Sequence, residues 1–425
     1  MNQGNGLILS APSSGSGKTT LTLGILRALS RQGVAVRSAK SGPDYIDPRF
    51  HEAASGQPCL NLDAWAMTPD RLRALASGPE TLLVEGAMGL FDGAPPYGKG
   101  ATADLARHLK LPVVLILDTA KQSQSVAAVV EGFANHQKDV NIVGVIFNNT
   151  GSARHEAMLA GALKNSGLPI LGAIQRQVGL EHPSRHLGLV QAQERPDLDA
   201  FLDRVADIVE AGIDLQKLLT LAKGLVPRPR ATCFAPPAQR ISIARDAAFA
   251  FAYPHLLQDW KKSGAEVKFF SPLADQAPPE CDLVFLPGGY PELHAGQLAS
   301  NARFMDGLRR AALQGEIYGE CGGYMTLGES LTDADGVPHK MAGLLRLETS
   351  FAKRRLHLGY RQLKSLGGPF SGDLTAHEFH YATTMRAEGQ PLFKAQNAEG
   401  DQLPDMGLIQ GRISGSFAHI IDRVN

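Results

Sequence analysis

The sequence predicts an α/β protein of two domains in series, each built around a mostly parallel sheet. Short apolar runs alternate with amphipathic stretches along most of the 425 residues. That rhythm breaks once, where Pro227, Pro229, Pro236 and Pro237 crowd between Gly224 and Arg240, and then restarts. Alternating strand and helix signals imply parallel strands with helices on both faces, because each crossover must cover the sheet.

In the first half, Leu7–Leu9, Val34–Ala39, Thr81–Val84, Val113–Leu117 and Ile142–Phe147 read as buried strands. Helices are expected from Thr19 to about Ser30, closed near Gly33, and over about Gln124–His136. In the second half, Ile241–Ala244, Val267–Phe270 and Leu283–Leu286 read as strands, and Phe251–Ser263 and Ala302–Gln314 as helices. The expected division is residues 1–226, a linker 227–239, and residues 240–425.

Composition excludes several classes. Lys+Arg and Asp+Glu are both 42, so no basic excess marks a nucleic-acid-coating protein. No apolar run approaches the roughly 18 residues that span a bilayer, and the first residues lack a basic leader. Cys59, Cys233, Cys281 and Cys321 are scattered without a CxxC pair, which argues against a disulfide framework or zinc site and fits a reducing cytoplasm.

Ala11-Pro12-Ser13-Ser14-Gly15-Ser16-Gly17-Lys18-Thr19-Thr20 follows the first strand and opens a helix, the context that a phosphate-binding loop requires. Its glycines let backbone N–H groups converge on phosphate oxygens, and the helix N-terminus adds partial positive charge. Ser13, Gly15, Ser16, Gly17, Lys18, Thr19 and Thr20 form the expected ATP cradle, with Lys18 on the β/γ-phosphates and the Thr19 hydroxyl on Mg²⁺. Pro12 stands where GxxxxGK[ST] has its first glycine.

Lys40-Ser41-Gly42-Pro43-Asp44-Tyr45-Ile46-Asp47-Pro48 comes after the second strand, at the edge where open α/β sheets bind ligands. A later strand delivers Glu85, placed like a Walker-B carboxylate, and then a Gly-rich turn with Asp92. ATP hydrolysis needs fewer acids than this. The surplus suggests two Mg²⁺ ions, or an acceptor carboxylate that attacks the γ-phosphate to give an acyl phosphate, a good electrophile for ammonia. Lys18 and Lys40 could neutralise the charge that develops.

In the second half, Ile317-Tyr318-Gly319-Glu320-Cys321-Gly322-Gly323-Tyr324-Met325 passes from a strand into a helical pattern. Small flanking residues permit the strained turn that presents a nucleophile, and a helix N-terminus would lower the Cys321 pKa. Pro287-Gly288-Gly289-Tyr290-Pro291-Glu292 follows another strand, so that Gly288, Gly289 and Gly322 could form an oxyanion hole. The expected base is His419; His377 and His380 are its rivals.

The chain resembles the cobyrinic acid a,c-diamide synthase family over essentially its whole length. The resemblance rests on Ala11–Thr20, Gly42–Pro48, Glu85–Gly93, Leu286–Gln297, Gly319–Leu327 and His377–Tyr381, in that order. It implies a dethiobiotin-synthetase-like ATP-dependent domain followed by a class I glutamine amidotransferase domain of the cobyrinate/cobyrate type. It implies that Cys321 and His419 release ammonia from glutamine. Acyl phosphates then form at the c and next the a acetate carboxylates of a corrinoid-precursor macrocycle, hydrogenobyrinic acid in the aerobic route of cobalamin synthesis. By the same resemblance Asp44, Asp47 and Glu85 match essential acids, Asp92 a further acidic site residue, Lys40 the lysine after the second strand, and Tyr45 and Ile46 positions that influence the choice of carboxylate. Thr19, Asp47 and Glu85 become the expected Mg²⁺ ligands, and a homodimer is suggested. Wider class I amidotransferases carry His-x-Glu, whereas Ile420-Ile421-Asp422 follows His419, leaving a backbone carbonyl or a more distant carboxylate to orient the imidazole.

Alternatives within this reading are the cobalt-bearing substrate of the anaerobic route and a nickel tetrapyrrole. Ser123–Val126 and Ser184–Leu189 look like the aerobic group without fixing the metal. CTP synthases share the domain order but keep His-x-Glu and lack a GPDYIDP-like segment. A non-catalytic P-loop switch carrying an interaction module has no need of a strained cysteine.

Overall fold

The computed structural model describes residues 4–177, 184–185, 188–226 and 233–424. The chain divides into two compact units, Met1–Ala231 and Thr232–Asn425. Residues 227–232 of the expected linker lie outside the described residues, as do His186 and Leu187 of the Ser184–Leu189 stretch.

In the first unit, β1 (Asn5–Ser10), β2 (Val36–Ser41), β3 (Leu60–Leu62), β4 (Thr81–Glu85), β5 (Val113–Asp118), β6 (Ile142–Thr150) and β7 (Ile170–Gln175) form one sheet in the order β3-β2-β4-β1-β5-β6-β7. Every neighbouring pair on that path is parallel. The carboxyl ends of β1, β2, β4 and β6 therefore share one edge, and the chemistry-bearing loops leave from it. The strands are buried on both faces, and Leu7, Ile8, Leu9, Leu82, Leu83 and Val84 have no exposed surface. Burying such a side chain stabilises by about 1.5–3 kcal/mol.

Two expectations shift here. The second strand runs to Ser41 rather than Ala39, which brings Lys40 into the sheet. β3 was not foreseen, because three residues are too few to show a period. Helix α1 (Lys18–Arg31) buries Leu21, Ile25 and Leu29. Its Gly24 lets helix Leu198–Gly212 approach, since a Cβ there would stand 2.7 Å from Val205 Cγ1.

In the second unit, strands Glu266–Phe270, Arg240–Ala244, Leu283–Leu286, Glu316–Glu320 and Ile413–Ser416 lie side by side in that order, all parallel. Leu408–Gln410 adds antiparallel at the edge. Helix Pro254–Lys262 starts later than the expected Phe251, because Pro254 suits a first helical turn while Phe251 bridges to Gly288. Beyond helix Gly322–Leu327, the regular elements among the described residues are all strands. One antiparallel sheet, Gln402–Met406, Phe393–Gln396, His357–Ser365, Asp373–His380 and Ala418–Arg423, was not foreseen from the α/β rhythm. The chain passes from the parallel sheet into this one between Ser416 and Ala418, and His419 sits just past that corner.

No helix among the described residues is long and apolar enough to cross a membrane. The four cysteines are free.

Candidate functional site

The first unit gathers its charges through strand register. Lys40 and Glu85 are direct partners across the parallel pair β2–β4, so their side chains leave the same face. Lys40 Nζ lies 2.7 Å from Glu85 Oε1 and 2.6 Å from Asp47 Oδ2. The Thr19 hydroxyl donates to the same Glu85 Oε1 at 2.6 Å and lies 3.4 Å from the same Asp47 oxygen. Burial opposes charge on Lys40, but Asp47 and Glu85 outweigh it and hold the ammonium far above its ordinary pKa. Burial likewise opposes ionisation of Glu85, yet Lys40 and His51 hold that carboxyl well below the usual range.

The phosphate loop arrives at this cluster from β1. Gly17 has a φ of 84°, and a Cβ there would collide with Asn148 Nδ2, whose amide donates to Ser16 O at 3.0 Å. The Ser13 carbonyl accepts from Ser16 Oγ and Lys18 Nζ, both at 3.0 Å. Burial lowers the Lys18 pKa, with Lys40 adding to the effect and Glu85 opposing it. Gly15 is exposed at the tip of the loop, and Thr20 is half-buried in the first turn of α1.

Other expected residues take different places. Asp44 Oδ1 accepts from the backbone N–H groups of Ile46 at 2.8 Å and Asp47 at 3.2 Å, shaping the entry to α2 (Asp47–Ser55). Burial and the neighbouring Asp47 push its pKa up to about 7. Tyr45 and Ile46 are buried in that same entry. Asp92 is exposed and accepts from Gly89 N at 2.9 Å; it reaches the cluster through its charge acting on Lys18.

Sequence reasoning missed His51. Its Nε2 lies 2.6 Å from Glu85 Oε2, with both side chains fully buried. Burial opposes its protonation, but Cys59 and Glu85 raise its pKa to about 10. The available signal was its spacing four residues after Asp47, which puts both on one face of α2.

In the second unit, Cys321 has φ 46° and ψ −103°, a conformation that costs a side-chain-bearing residue on the order of 1–3 kcal/mol. The glycines make it possible: a Cβ on Gly323 would collide with the Leu286 carbonyl. Gly289 N lies 3.1 Å from the point where a Gly322 Cβ would stand, so the two Gly-rich turns close on each other. The Cys321 N–H donates to Ser416 O at 2.8 Å, tying the elbow to the strand that leads to His419. A Cβ on Gly288 would collide with His419 Cε1 and lie 2.9 Å from His419 Nε2 and 3.2 Å from Cys321 Cβ. Thiol and imidazole thus line one wall.

The expected lowering of the thiol pKa is not found. Burial, with Glu292 next, pushes Cys321 up, and the Gly322 N–H works against them too weakly to reverse the shift. Burial, together with His377 and His380, takes His419 down to about 3. The resting pair is therefore neutral thiol and neutral imidazole. His377 pairs with His419 across adjacent strands, and His380 Nε2 lies 3.0 Å from Glu378 Oε1 with its ring stacked on Phe417. Of the three histidines, His419 is the one lying beside Gly288 and Cys321.

Comparison with known proteins assigns a domain type to most of each unit. Residues 7–190 match the CobQ/CobB/MinD/ParA nucleotide binding domain, and residues 240–423 match the CobB/CobQ-like glutamine amidotransferase domain. A hydrogenobyrinate a,c-diamide synthase from Brucella anthropi is 55% identical over 98% of both chains. The chain belongs to the hydrogenobyrinate a,c-diamide synthase family. Two more relatives of that name, from a Sinorhizobium species and Rhodobacter capsulatus, are 53% and 52% identical, each over 98% of this chain. Membership gives the synthase fold its two parts, a nucleotide-binding domain and a glutamine amidotransferase domain.

Proposed function

We propose that this chain is an ATP- and glutamine-dependent carbon–nitrogen ligase that converts the c and then the a acetate carboxylate of hydrogenobyrinic acid to amides. The observation that carries this reading is identity above 50% across nearly the full length of synthases so named. The two buried sites have the chemistry such a reaction needs.

In the amidotransferase unit, Cys321 Sγ attacks the side-chain carbonyl carbon of glutamine while His419 takes the thiol proton. N–H groups of the turns at Gly288, Gly289 and Gly322 face the oxyanion. His419 then protonates the departing nitrogen, ammonia leaves, and water cleaves the thioester to glutamate.

In the synthetase unit, the loop Ser13–Thr20 holds the ATP phosphates, and Lys18 and Lys40 balance the charge of the transferring phosphoryl group. The substrate carboxylate attacks the γ-phosphorus, ADP leaves with the bridging oxygen, and ammonia displaces phosphate from the resulting acyl phosphate. Asp44 and Asp92 flank this cluster and, with Tyr45 and Ile46, help present the carboxylate. Thr19, Asp47 and Glu85 suit Mg²⁺, because the Asp47 and Glu85 oxygens already converge on one cation, the Lys40 ammonium, and the hard Thr19 hydroxyl lies against the same two oxygens. Bound there, Mg²⁺ would neutralise phosphate oxygens. A cytoplasmic homodimer completes the proposal.

The test is incubation with ATP, Mg²⁺, glutamine and metal-free or cobalt-loaded macrocycle, followed by mass analysis. The reading expects two successive hydroxyl-to-amino exchanges on the metal-free substrate. No exchange on either macrocycle refutes it.

A further inference from the structure

This chain has Ile421, not an acid, two residues after His419, yet the ring of His419 is not without a carboxyl group. Glu320, immediately before the nucleophile, ends the strand Glu316–Glu320 and is buried. Its Oε1 accepts from Ile420 N at 3.1 Å, so it is anchored to the backbone that carries His419. Its Oε2 lies 3.6 Å from His419 Nδ1. The opposite ring nitrogen, Nε2, lies toward the Gly288 wall that His419 shares with Cys321. The imidazole thus has the Gly288 wall that it shares with Cys321 on one side and a carboxyl group on the other.

We propose that Glu320 is the positioning residue of the amidotransferase site: it closes the 3.6 Å gap when glutamine binds and accepts a hydrogen bond from His419 Nδ1–H, so that Nε2 is unprotonated and can take the Cys321 proton. This rests on the Cys321–His419 reading above. The acid comes from the residue before the nucleophile instead of the residue two places after the base. When the thiol proton moves to Nε2, the imidazolium carries a proton on each nitrogen, and Glu320 faces the one on Nδ1. The Phe251 carbonyl also acts on the ring and favours its protonated form.

Glu320 makes a poor structural residue. Burial raises its pKa to about 8, against contributions from Ile420 N–H and Tyr318 that lower it. A carboxyl group with a raised folded-state pKa loses stability as pH rises from its unfolded value toward the folded one. At neutral pH the residue therefore weakens the fold, which fits a group kept for function.

The decisive variant is Glu320→Gln in the full-length enzyme. The amide keeps size and the bond from Ile420 N, but its NH₂ donates to Nδ1 and selects the wrong tautomer. Glutamine hydrolysis should lose roughly 10²–10⁴-fold in kcat, with KM for glutamine near wild type. The thermal midpoint should stay or rise, and Glu320→Asp should recover part of kcat. Wild-type kcat in Glu320→Gln, beside an inactive Cys321→Ala, overturns the role of Glu320 alone. A loss matched by an equal loss of ammonium-driven amidation and a lower midpoint also overturns it, by making the residue structural. Full glutamine hydrolysis by Cys321→Ala overturns the thiol reading itself, and Glu320 with it.

Discussion

Around Glu85 the buried groups are kept ionised: Lys40 and His51 each meet one carboxylate oxygen, and burial is overridden by opposite charge. Around Cys321 burial wins, leaving a protonated thiol, a neutral imidazole and a protonated Glu320 near neutral pH. The difference follows from the ligands. A site for phosphates works on charges that are already present, so its counter-charges are fixed in advance. A site for a neutral amide creates charge during the reaction, and a neutral resting state keeps the pocket receptive to an uncharged side chain.

The strongest way to break the contrast is to remove one charge from the first site. Glu85→Gln leaves Lys40 and His51 without their shared partner. Amidation should fall by at least about 10²-fold, the scale for losing one preorganised electrostatic contact, whether glutamine or ammonium supplies nitrogen. Unchanged rates with either donor would remove Glu85 from the synthetase site.

Gly323→Ala probes the second site sterically. Its Cβ meets the Leu286 carbonyl, so the elbow must shift. We expect about 1–3 kcal/mol of destabilisation and loss of glutamine hydrolysis, read by thermal melting and glutamate release. Wild-type values for both would contradict the close-packed elbow.

His51→Asn sharpens the first half of the comparison. His51 touches Glu85 from the side away from Lys40, so a loss of roughly 10- to 100-fold in ammonium-driven amidation is expected, the scale of the roughly 1.5–3 kcal/mol of a charged hydrogen bond. No change would mean that Lys40 alone fixes Glu85.

The smallest expected effect is pH-dependent stability. The Glu320 pKa rises from 4.5 to about 8 on folding. Below 4.5 wild type and Glu320→Gln should melt alike. As pH climbs toward 8 wild type should fall behind by several degrees, each kcal/mol being worth roughly 2–4 °C in a domain of this size. Parallel melting curves across that window would show the carboxyl group to be unperturbed.

Much of the first unit was legible in the sequence because its strands are continuous apolar runs and its loops carry punctuated glycines. Glu85, Asp47 and Thr19 were readable from their places after strands and at helix starts. His51 was not, because a lone histidine in a helix carries no period and its partner is 34 residues away. In the second unit the elbow could be read from Gly319-Glu320-Cys321-Gly322-Gly323, but Glu320 appeared as one of its flanking residues. Its pairing with His419 depends on a corner between two sheets, and the antiparallel sheet beyond that corner mixes a half-exposed strand, His357–Ser365, with the buried strand Ala418–Arg423, so neither shows a clean alternation. The lowered thiol pKa failed because a six-residue helix end weighs less than complete burial.

The central claim is that nitrogen release and carboxylate activation are carried by separate sites of one chain. It is tested most directly by giving the Cys321→Ala enzyme ATP, Mg²⁺ and macrocycle, with either glutamine or ammonium chloride. Diamide should form with ammonium and fail to form with glutamine; equal product from both donors would contradict the account.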